Sequence, residues 1–226
     1  MNKFVIGDMH GGHKALLQCL ERSGFNKEKD QLICLGDVAD GWPEVTECFE
    51  ELLSMKNLIF VRGNHDNWLL DYLRTEETPD IWITQGGKNS FLSYNKRPDL
   101  KEKHRDFLMS TPYYYLDEEN RLFVHGGLNL AYPFHEQTAE DLMWSRDIYN
   151  LWRNGNAPIH IPGFKEVYLG HSSVGKYIER PVFSGNVIFM DTGGGWEGVL
   201  SIYNMTTGQI DISDPVRDLY PDIRPR

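Results

Sequence analysis

The chain has 226 residues, enough for one substantial domain with its own core, and 25% of them are charged, as is ordinary for globular proteins. Its formal net charge of -10 argues against a binder of duplex nucleic acid, which needs a basic surface. No apolar run reaches membrane-spanning length, and the short run after Met1 does not resemble a signal peptide. We therefore expect neither a membrane nor a nucleic acid as partner.

The cysteine content points to a reducing compartment. The three cysteines are odd in number and form no close pair, which is typical of buried thiols and not of a disulfide or zinc framework. We therefore expect a cytoplasmic protein with free thiols at Cys19, Cys34 and Cys48.

The first third of the chain alternates short apolar runs with helical patterns. The apolar runs predict buried strands, and apolar positions at helical spacing predict the helices between them. Alternating strands and helices are typical of crossover units, so this part should form a largely parallel sheet. The predicted order is a strand at 3–6, a helix at 13–22, a strand at 32–35, a helix from Pro43, a strand at 58–61 and a helix at 67–75.

The remainder of the chain predicts a second set of strands. Residues 80–95 are rich in loop signals, and antiparallel strands are expected towards the end of the chain. The predicted elements are a charged helix at 99–109, a hairpin at 113–116 and 121–124, a short helix near 139–144, a strand at 167–169, and antiparallel strands at 187–190, 199–203 and 209–212.

Together these elements predict an α/β fold, in which two mixed β-sheets pack face to face with helices outside. We expect a single domain at residues 1–213. Residues 214–226 contain three prolines and are expected to form an irregular C-terminal arm.

Five of the apolar runs lead directly into short segments that combine glycine with Asp, Asn or His. Ligands and catalytic groups collect beyond the carboxyl ends of buried strands. Because all five segments follow strands, we expect them to meet in one site. They are Gly7 to Gly11, Gly36 to Asp40, Gly63 to Asp66, His125 to Gly127, and Gly170 with His171.

These side chains suit a pair of divalent cations. Asp8 and His10 are two residues apart and can turn towards one ion, and Asp37 has two oxygens with which to bridge two ions. One amide and two imidazoles could complete the second ion, and such mixed ligation suits manganese, iron or zinc. A close pair of ions lowers the pKa of a bridging water, which then attacks phosphorus as hydroxide. The proposed second set is Asn64, His125 and His171.

Two further kinds of group would complete a phosphoester hydrolase. His65 follows Asn64 and is free to protonate the leaving oxygen as a general acid, with Asp40 as the residue that orients it. Arg62 and Arg146 are candidates for binding phosphate oxygens. A purely structural role for Arg62 is the alternative.

The five segments, in this order, resemble the signatures of the calcineurin-like metallophosphoesterases, and in particular their phosphoprotein phosphatase branch. The resemblance to small bacterial and phage members extends over residues 3–205 and includes Trp144-Ser145-Arg146. It implies an αββα metallophosphoesterase sandwich. It also implies one ion on Asp8, His10 and Asp37, and a second on Asp37, Asn64, His125 and His171. Under it, His65 matches the acid, Asp40 its partner, and Arg62 and Arg146 phosphate-contacting arginines.

One position departs from the family pattern. The family has Asp-Arg-Gly where this chain reads Asp40-Gly41-Trp42, so one phosphate-binding arginine is absent. We expect Gly41 to reshape the pocket, with Trp42 as a new wall, while catalysis is retained.

The resemblance implies a dimetal phosphomonoesterase acting on phosphoserine, phosphothreonine or a related small phosphoester. A diadenosine tetraphosphate hydrolase is the alternative, because such enzymes share nearly every presumed ligand. A scaffold that keeps the fold without catalysis ranks below both, since all six presumed ligands and His65 are present.

Overall fold

The computed structural model of the chain describes residues 1–155 and 157–223. Its first sheet begins with three parallel strands, β1 (Lys3–Ile6), β2 (Gln31–Cys34) and β3 (Asn57–Phe60). Two later strands complete it, β9 (Ser201–Asn204) antiparallel to β1 and β10 (Ile210–Ile212) antiparallel to β9. The strand order is β10-β9-β1-β2-β3.

The second sheet also has five strands. Its parallel centre consists of β5 (Arg121–Val124), β6 (Glu166–Leu169) and β8 (Val187–Phe189). Antiparallel strands form both edges, β4 (Tyr114–Leu116) beside β5 and β7 (Val182–Ser184) beside β8. The strand order is β4-β5-β6-β8-β7.

Helices cover the outer faces of both sheets. The longer ones carry an apolar stripe, as in α1, where Ala15, Leu16, Cys19 and Leu20 are buried. The helices are α1 (His13–Ser23), α2 (Val45–Leu53), α3 (Asn64–Thr75), α4 (Asp80–Trp82), α5 (Lys88–Lys96), α6 (Lys101–Ser110), α7 (Ala139–Trp144), α8 (Asp147–Asn154) and α9 (Val216–Leu219). Among the described residues, no helix combines the length and apolarity needed to span a bilayer.

The central strands bury side chains on both faces, because successive residues point to opposite sides of a sheet. In β1, Val5 packs between the two sheets, whereas Phe4 and Ile6 pack against the helices. In β6, Tyr168 points between the sheets and its neighbours point towards the helices. The result is the predicted arrangement of helix, sheet, sheet and helix layers.

Three expectations about local structure are wrong. Residues 80–95 are mostly helical, because α4 and α5 continue through a kink at Gln85 and Gly86 that the glycines make possible. Strand β8 pairs parallel with β6 and is antiparallel only to β7. The segment after residue 213 contains the short helix α9, held by the buried Val216 and Tyr220. Residues 224–226 of the predicted arm lie outside the described residues. The domain boundary at residue 213 stays a prediction.

Candidate metal centre

The five glycine-containing segments meet at one edge of the sandwich, where the carboxyl ends of β1, β2 and β3 face those of β5 and β6. Two groups of side chains there have ligand atoms within 4.8 Å of one another. The first group is His10, Asp37 and His65, and the second is Asp37, His125 and His171. Asp37 belongs to both, which is the geometry a bridging carboxylate needs.

Asp37 lies at the centre of the cluster. Its Oδ2 atom is 3.3 Å from His125 Nε2 and 3.7 Å from His10 Nε2. Asn64 places its Oδ1 atom 2.9 Å from the same His125 nitrogen. The side chains of His10, Asp37, Asn64 and His125 are buried, so these groups are collected in one shielded place.

Backbone carbonyls fix the orientation of two imidazoles. The Nδ1 atom of His10 is 3.0 Å from the Ala39 carbonyl, and that of His125 is 2.8 Å from the Leu35 carbonyl. A carbonyl oxygen only accepts, so Nδ1 donates in both histidines. Their Nε2 atoms are therefore the ones that face Asp37, as in histidines whose other nitrogen is held behind a metal.

Two buried atoms in the cluster are suited to bind a cation. Among the described residues, Asp8 Oδ1 and His171 Nε2 are buried and have no hydrogen-bond partner. Burial raises the pKa of Asp8 well above its usual value, and the charges of Asp191 and Asp37 add to this effect. Unpaired buried carboxylate and imidazole atoms are costly, and a divalent cation would satisfy both. The donor set therefore fits a metal.

The charges of neighbouring groups shift the pKa values of the presumed ligands. Burial alone would raise the pKa of Asp37, but the charges of His125 and the neighbouring histidines outweigh it and hold that pKa well below the usual value. Burial, with the positive charges of His125 and Arg146, lowers the pKa of His171 well below the ordinary histidine value. The carboxylate of Asp37 and the neutral imidazole of His171 are the forms that ligate metals. Although burial opposes it, the charges of Asp37 and Asp8 raise the pKa of His125 to about 10, so His125 must lose a proton when a metal binds.

Asp66 stands behind these groups and organises the backbone. Its carboxylate accepts hydrogen bonds from the amides of Asp37, Val38, Ala39 and Gly63, at 2.8 to 3.1 Å. The segments that follow β2 and β3 are thereby tied to the first turn of α3. Asp66 therefore supports the site through the backbone.

Backbone strain is concentrated at the site. Six non-glycine residues in the described chain have positive φ, and four of them are predicted site residues. Such conformations cost free energy and persist where the surrounding structure enforces them, often at functional sites. The four are His10, Asp37, Asp40 and His171.

The structure pairs His65 with Asp40, as expected for an acid and its orienting partner. The Nδ1 atom of His65 is 2.6 Å from Asp40 Oδ2, and both side chains are buried. The amide of His65 also donates to Asp37 Oδ1 at 2.9 Å. His65 is therefore fixed between the presumed metal ligands and the open side of the site.

The two arginines are placed differently. Arg146 lines the cavity above the cluster, where its Nη1 atom donates to Ser172 Oγ at 3.0 Å. Arg62 is buried away from the cavity, and its guanidinium donates to Thr111, Tyr113 and the Leu108 carbonyl. The geometry thus keeps Arg146 as a phosphate-binding candidate and favours the structural alternative for Arg62.

The expectation that Trp42 forms a wall of the pocket is wrong. Its side chain is fully buried, and its indole N–H donates to the Gly194 carbonyl at 2.7 Å. Its ring stacks on that of Tyr220, with 5.2 Å between the ring centroids. Gly41 has φ of +73°, and a Cβ atom there would lie 2.9 Å from the Cβ atom of His10. A side chain at position 41 would therefore press on a presumed ligand.

The cluster opens into a cavity of about 580 Å³. Its upper walls are largely aromatic. The ring centroid of Trp68 lies 5.0 Å from that of His65, and the ring centroid of Trp144 lies 5.6 Å from that of His171. Sequence reasoning gave none of these walls a role. It also missed Asp191 as a site residue, although this aspartate follows β8 just as the other acidic groups follow their strands. The remaining unassigned lining residues are Ile81, Gln85, Tyr149, Ser173, Gly195 and Trp196.

Comparisons with known proteins agree with this geometry. The chain is 27% identical over 205 residues to serine/threonine-protein phosphatase 1 of Salmonella typhimurium, covering 88% of this chain and 89% of the relative. It is 36% identical over 69 residues to the symmetrical bis(5'-nucleosyl)-tetraphosphatase of Coxiella burnetii, covering 30% of this chain and 24% of the relative.

A solved structure, provisionally described as a diadenosine tetraphosphatase, shares the fold. It superposes with a TM-score of 0.68 at 19% identity, over 95% of this chain and 93% of its own. The sequence model of the calcineurin-like phosphoesterases matches residues 1–190. With the fold, the cluster and this match in agreement, the chain belongs to the calcineurin-like phosphoesterase family and is a hydrolase.

Proposed function

We propose that this protein is a dimetal phosphomonoesterase that removes phosphate from phosphoserine, phosphothreonine or a related small phosphoester. The observation that carries the proposal is the buried group of carboxylates and imidazoles around Asp37, together with the unpaired atoms of Asp8 and His171. A relative over most of the chain bears the name serine/threonine-protein phosphatase, which supports this substrate class.

In the proposed site, Asp8, His10 and Asp37 would hold one ion, and Asp37, Asn64, His125 and His171 would hold the second. Manganese is the proposed metal, with iron or zinc as alternatives, because mixed carboxylate, amide and imidazole donors suit borderline cations. When bound, such a pair supplies Lewis acidity that activates a water molecule and offsets charge on the phosphoryl oxygens.

The chain's own residues then act on the substrate. Arg146 is the only lysine or arginine among the described residues that line the cavity, and it would hold the phosphoryl oxygens by charge-assisted hydrogen bonds. His65 would donate the proton from Nε2 to the leaving oxygen, since its Nδ1 atom is engaged by Asp40.

Hydrolysis of diadenosine tetraphosphate is the second candidate. A relative over part of the chain bears a dinucleoside tetraphosphatase name. The cavity also offers Trp68, Trp144 and Trp196 as surfaces on which a nucleobase could stack. These aromatic walls are the specific observation in favour of the alternative.

The deciding experiment uses protein stripped of metal and reloaded with manganese. A phosphothreonine peptide and diadenosine tetraphosphate are supplied in parallel, and the products are identified. Free phosphate from the peptide alone supports the proposal. Two ADP per dinucleotide would overturn it in favour of the second candidate, and no turnover of either substrate by protein that binds two ions would favour a non-catalytic scaffold.

A cytoplasmic location is part of the proposal. The three cysteines are free and buried, as thiols in a reducing compartment would be.

A further inference from the structure

The carboxylate of Asp40 is held by two side chains from the segment that contains α4 and α5, one from each helix. The indole N–H of Trp82 lies 3.0 Å from each carboxylate oxygen, and the hydroxyl of Ser90 donates to Oδ1 at 2.7 Å. The Ser90 oxygen also accepts the amide of Asp40 itself, at 2.9 Å. All three side chains are buried, so water does not compete for these bonds.

These donors determine which way the proton points between Asp40 and His65. Trp82 Nε1 can only donate, and the Ser90 hydroxyl donates its proton to Oδ1 while its oxygen accepts the amide of Asp40. Asp40 is thus surrounded by donors and serves as an acceptor. The Nδ1 atom of His65 must therefore carry a proton towards Asp40, which leaves Nε2 for the substrate.

The backbone of the segment from α4 to α5 is shaped to place Trp82 against Asp40. The chain kinks at Gln85 and Gly86, where the helical backbone is interrupted. A Cβ atom at position 87 would lie 2.4 Å from the Trp82 ring, so only glycine lets the indole lie against this turn. The Gly86 carbonyl accepts the amide of Gly41, which ties the kink to the residue after Asp40.

We propose that Trp82 and Ser90 are positioning residues for catalysis: they orient Asp40, and through it the proton-donating face of His65. The inference rests on the proposed function, because it matters only where His65 protonates a leaving group. Neither residue touches the substrate cavity; both act through Asp40.

The test uses the basicity of the leaving group. Proton donation matters most when the leaving oxygen is strongly basic, as in a phosphothreonine peptide, and little when it is weakly basic, as in 4-nitrophenyl phosphate. Trp82→Phe removes the N–H and keeps a ring, and Ser90→Ala removes the hydroxyl. A general acid typically accelerates a reaction by roughly 10²–10⁴-fold. Because each variant should lose part of that acceleration, we expect kcat on the peptide to fall about tenfold or more. On the aryl ester, kcat should fall less than about threefold.

Matched controls separate positioning from general damage. Ser93→Ala removes another buried serine of α5 whose hydroxyl bonds Thr46 and not Asp40, and should leave the ratio between the two substrates unchanged. In an Asp40→Asn background, Trp82→Phe should add no further loss, because residues acting through one group are not additive. Equal losses on both substrates, or additive losses in that background, would overturn the proposal.

A readout without turnover keeps the inference distinct from the proposed function. In metal-free protein, the proton between His65 Nδ1 and Asp40 should give a low-field ¹H signal that disappears in His65→Asn. Trp82→Phe and Ser90→Ala should each shift or broaden this signal, while Ser93→Ala leaves it in place. If the signal in Trp82→Phe and Ser90→Ala is identical to that in Ser93→Ala, the positioning role is wrong even when the wild-type enzyme is active. If wild-type protein hydrolyses no phosphoester yet the signal responds as expected, only the proposed function fails.

Discussion

At the scale of single residues, His65 and Asp40 are the pair on which catalysis should depend. Neither belongs to the presumed ligand set, and their side chains are 2.6 Å apart. We expect His65→Asn and Asp40→Asn to retain two ions and to slow hydrolysis of an alkyl phosphoester by about 10²–10³-fold, as is typical when general acid catalysis is lost. Metal content and kcat would be measured on the same preparations. Wild-type rates in the Asp40 variant would contradict its orienting role.

Position 41 is where the resemblance to the family signatures implies an arginine and this chain has glycine. Gly41 has φ of +73°, and a Cβ atom at this position would lie 2.9 Å from the Cβ atom of His10, so an arginine there should not simply add a phosphate ligand. We expect Gly41→Arg to lower thermal stability and weaken metal binding, through strain of about 1 kcal/mol or more and displacement of His10. Gly41→Ala is the matched variant, since it adds the Cβ atom without the guanidinium. Full stability and activity in both variants would show that the backbone relaxes at no cost.

At the scale of elements, Asp66 joins the start of α3 to the segment after β2. Asp66→Asn keeps the size of the side chain but replaces an acceptor oxygen with a donor NH₂ group, which then faces backbone amides that also donate. We expect a loss of about 3 kcal/mol in the free energy of unfolding, since hydrogen bonds to a buried charge are lost and donors are left unpaired. Urea denaturation measures it. A loss below about 1 kcal/mol would mean that the loop does not depend on this carboxylate.

A second buried network joins α2, α5 and α6 and should respond to pH. His104 accepts from Tyr94 OH at Nδ1 and donates to Glu50 Oε1 from Nε2, at 2.8 and 2.9 Å, which fits a neutral imidazole. Burial lowers the pKa of His104 below the usual 6.5.

Because the unfolded chain binds this proton more readily than the folded chain, His104 should contribute stability that is present above pH 6.5 and is lost as the pH falls through its lowered pKa. The midpoint of urea unfolding would be followed from pH 8 to pH 5 in the wild type and in His104→Gln. The wild type should lose stability more steeply below pH 6.5. Parallel curves would contradict a neutral His104.

At the scale of the whole molecule, the presumed ligands join the two sheets. Asp8, Asp37 and Asn64 follow strands of the first sheet, and His125 and His171 follow strands of the second. The second ion, with ligands from both sheets, would therefore cross-link the sandwich, and binding of either ion to the folded state alone stabilises that state by mass action.

We expect manganese at about one hundred times its Kd to stabilise the fold by about 2.7 kcal/mol per site, measured as a rise in the thermal unfolding temperature. Asp8→Asn and His125→Asn, one from each sheet, should both reduce that rise. His135→Asn, in a side chain that is 80% exposed, is the control. A rise that survives in both ligand variants would place the metal elsewhere.

The sequence alone determined the layered fold, because buried strands and amphipathic helices have periods that can be read directly from apolar positions. It also gathered most of the candidate site, since each glycine-containing segment follows a strand, and parallel strands bring such ends together. This rule predicts Asp8, Asp37, His125 and His171 as site residues. Asp191 obeys the same rule, but its sequence context predicts an antiparallel strand, whereas β8 is parallel to β6.

Only the tertiary structure decided what lies around those groups. The glycines and polar residues of 80–95 are weak helix formers, so this stretch of sequence predicts a loop. In the structure it is mostly helical, and Trp82 and Ser90 of these helices pack against Asp40. The buried setting of Arg62, and of Trp42 against Tyr220, depends on contacts between residues far apart in the chain. No local pattern encodes such contacts, because side-chain burial is set by which distant surfaces meet.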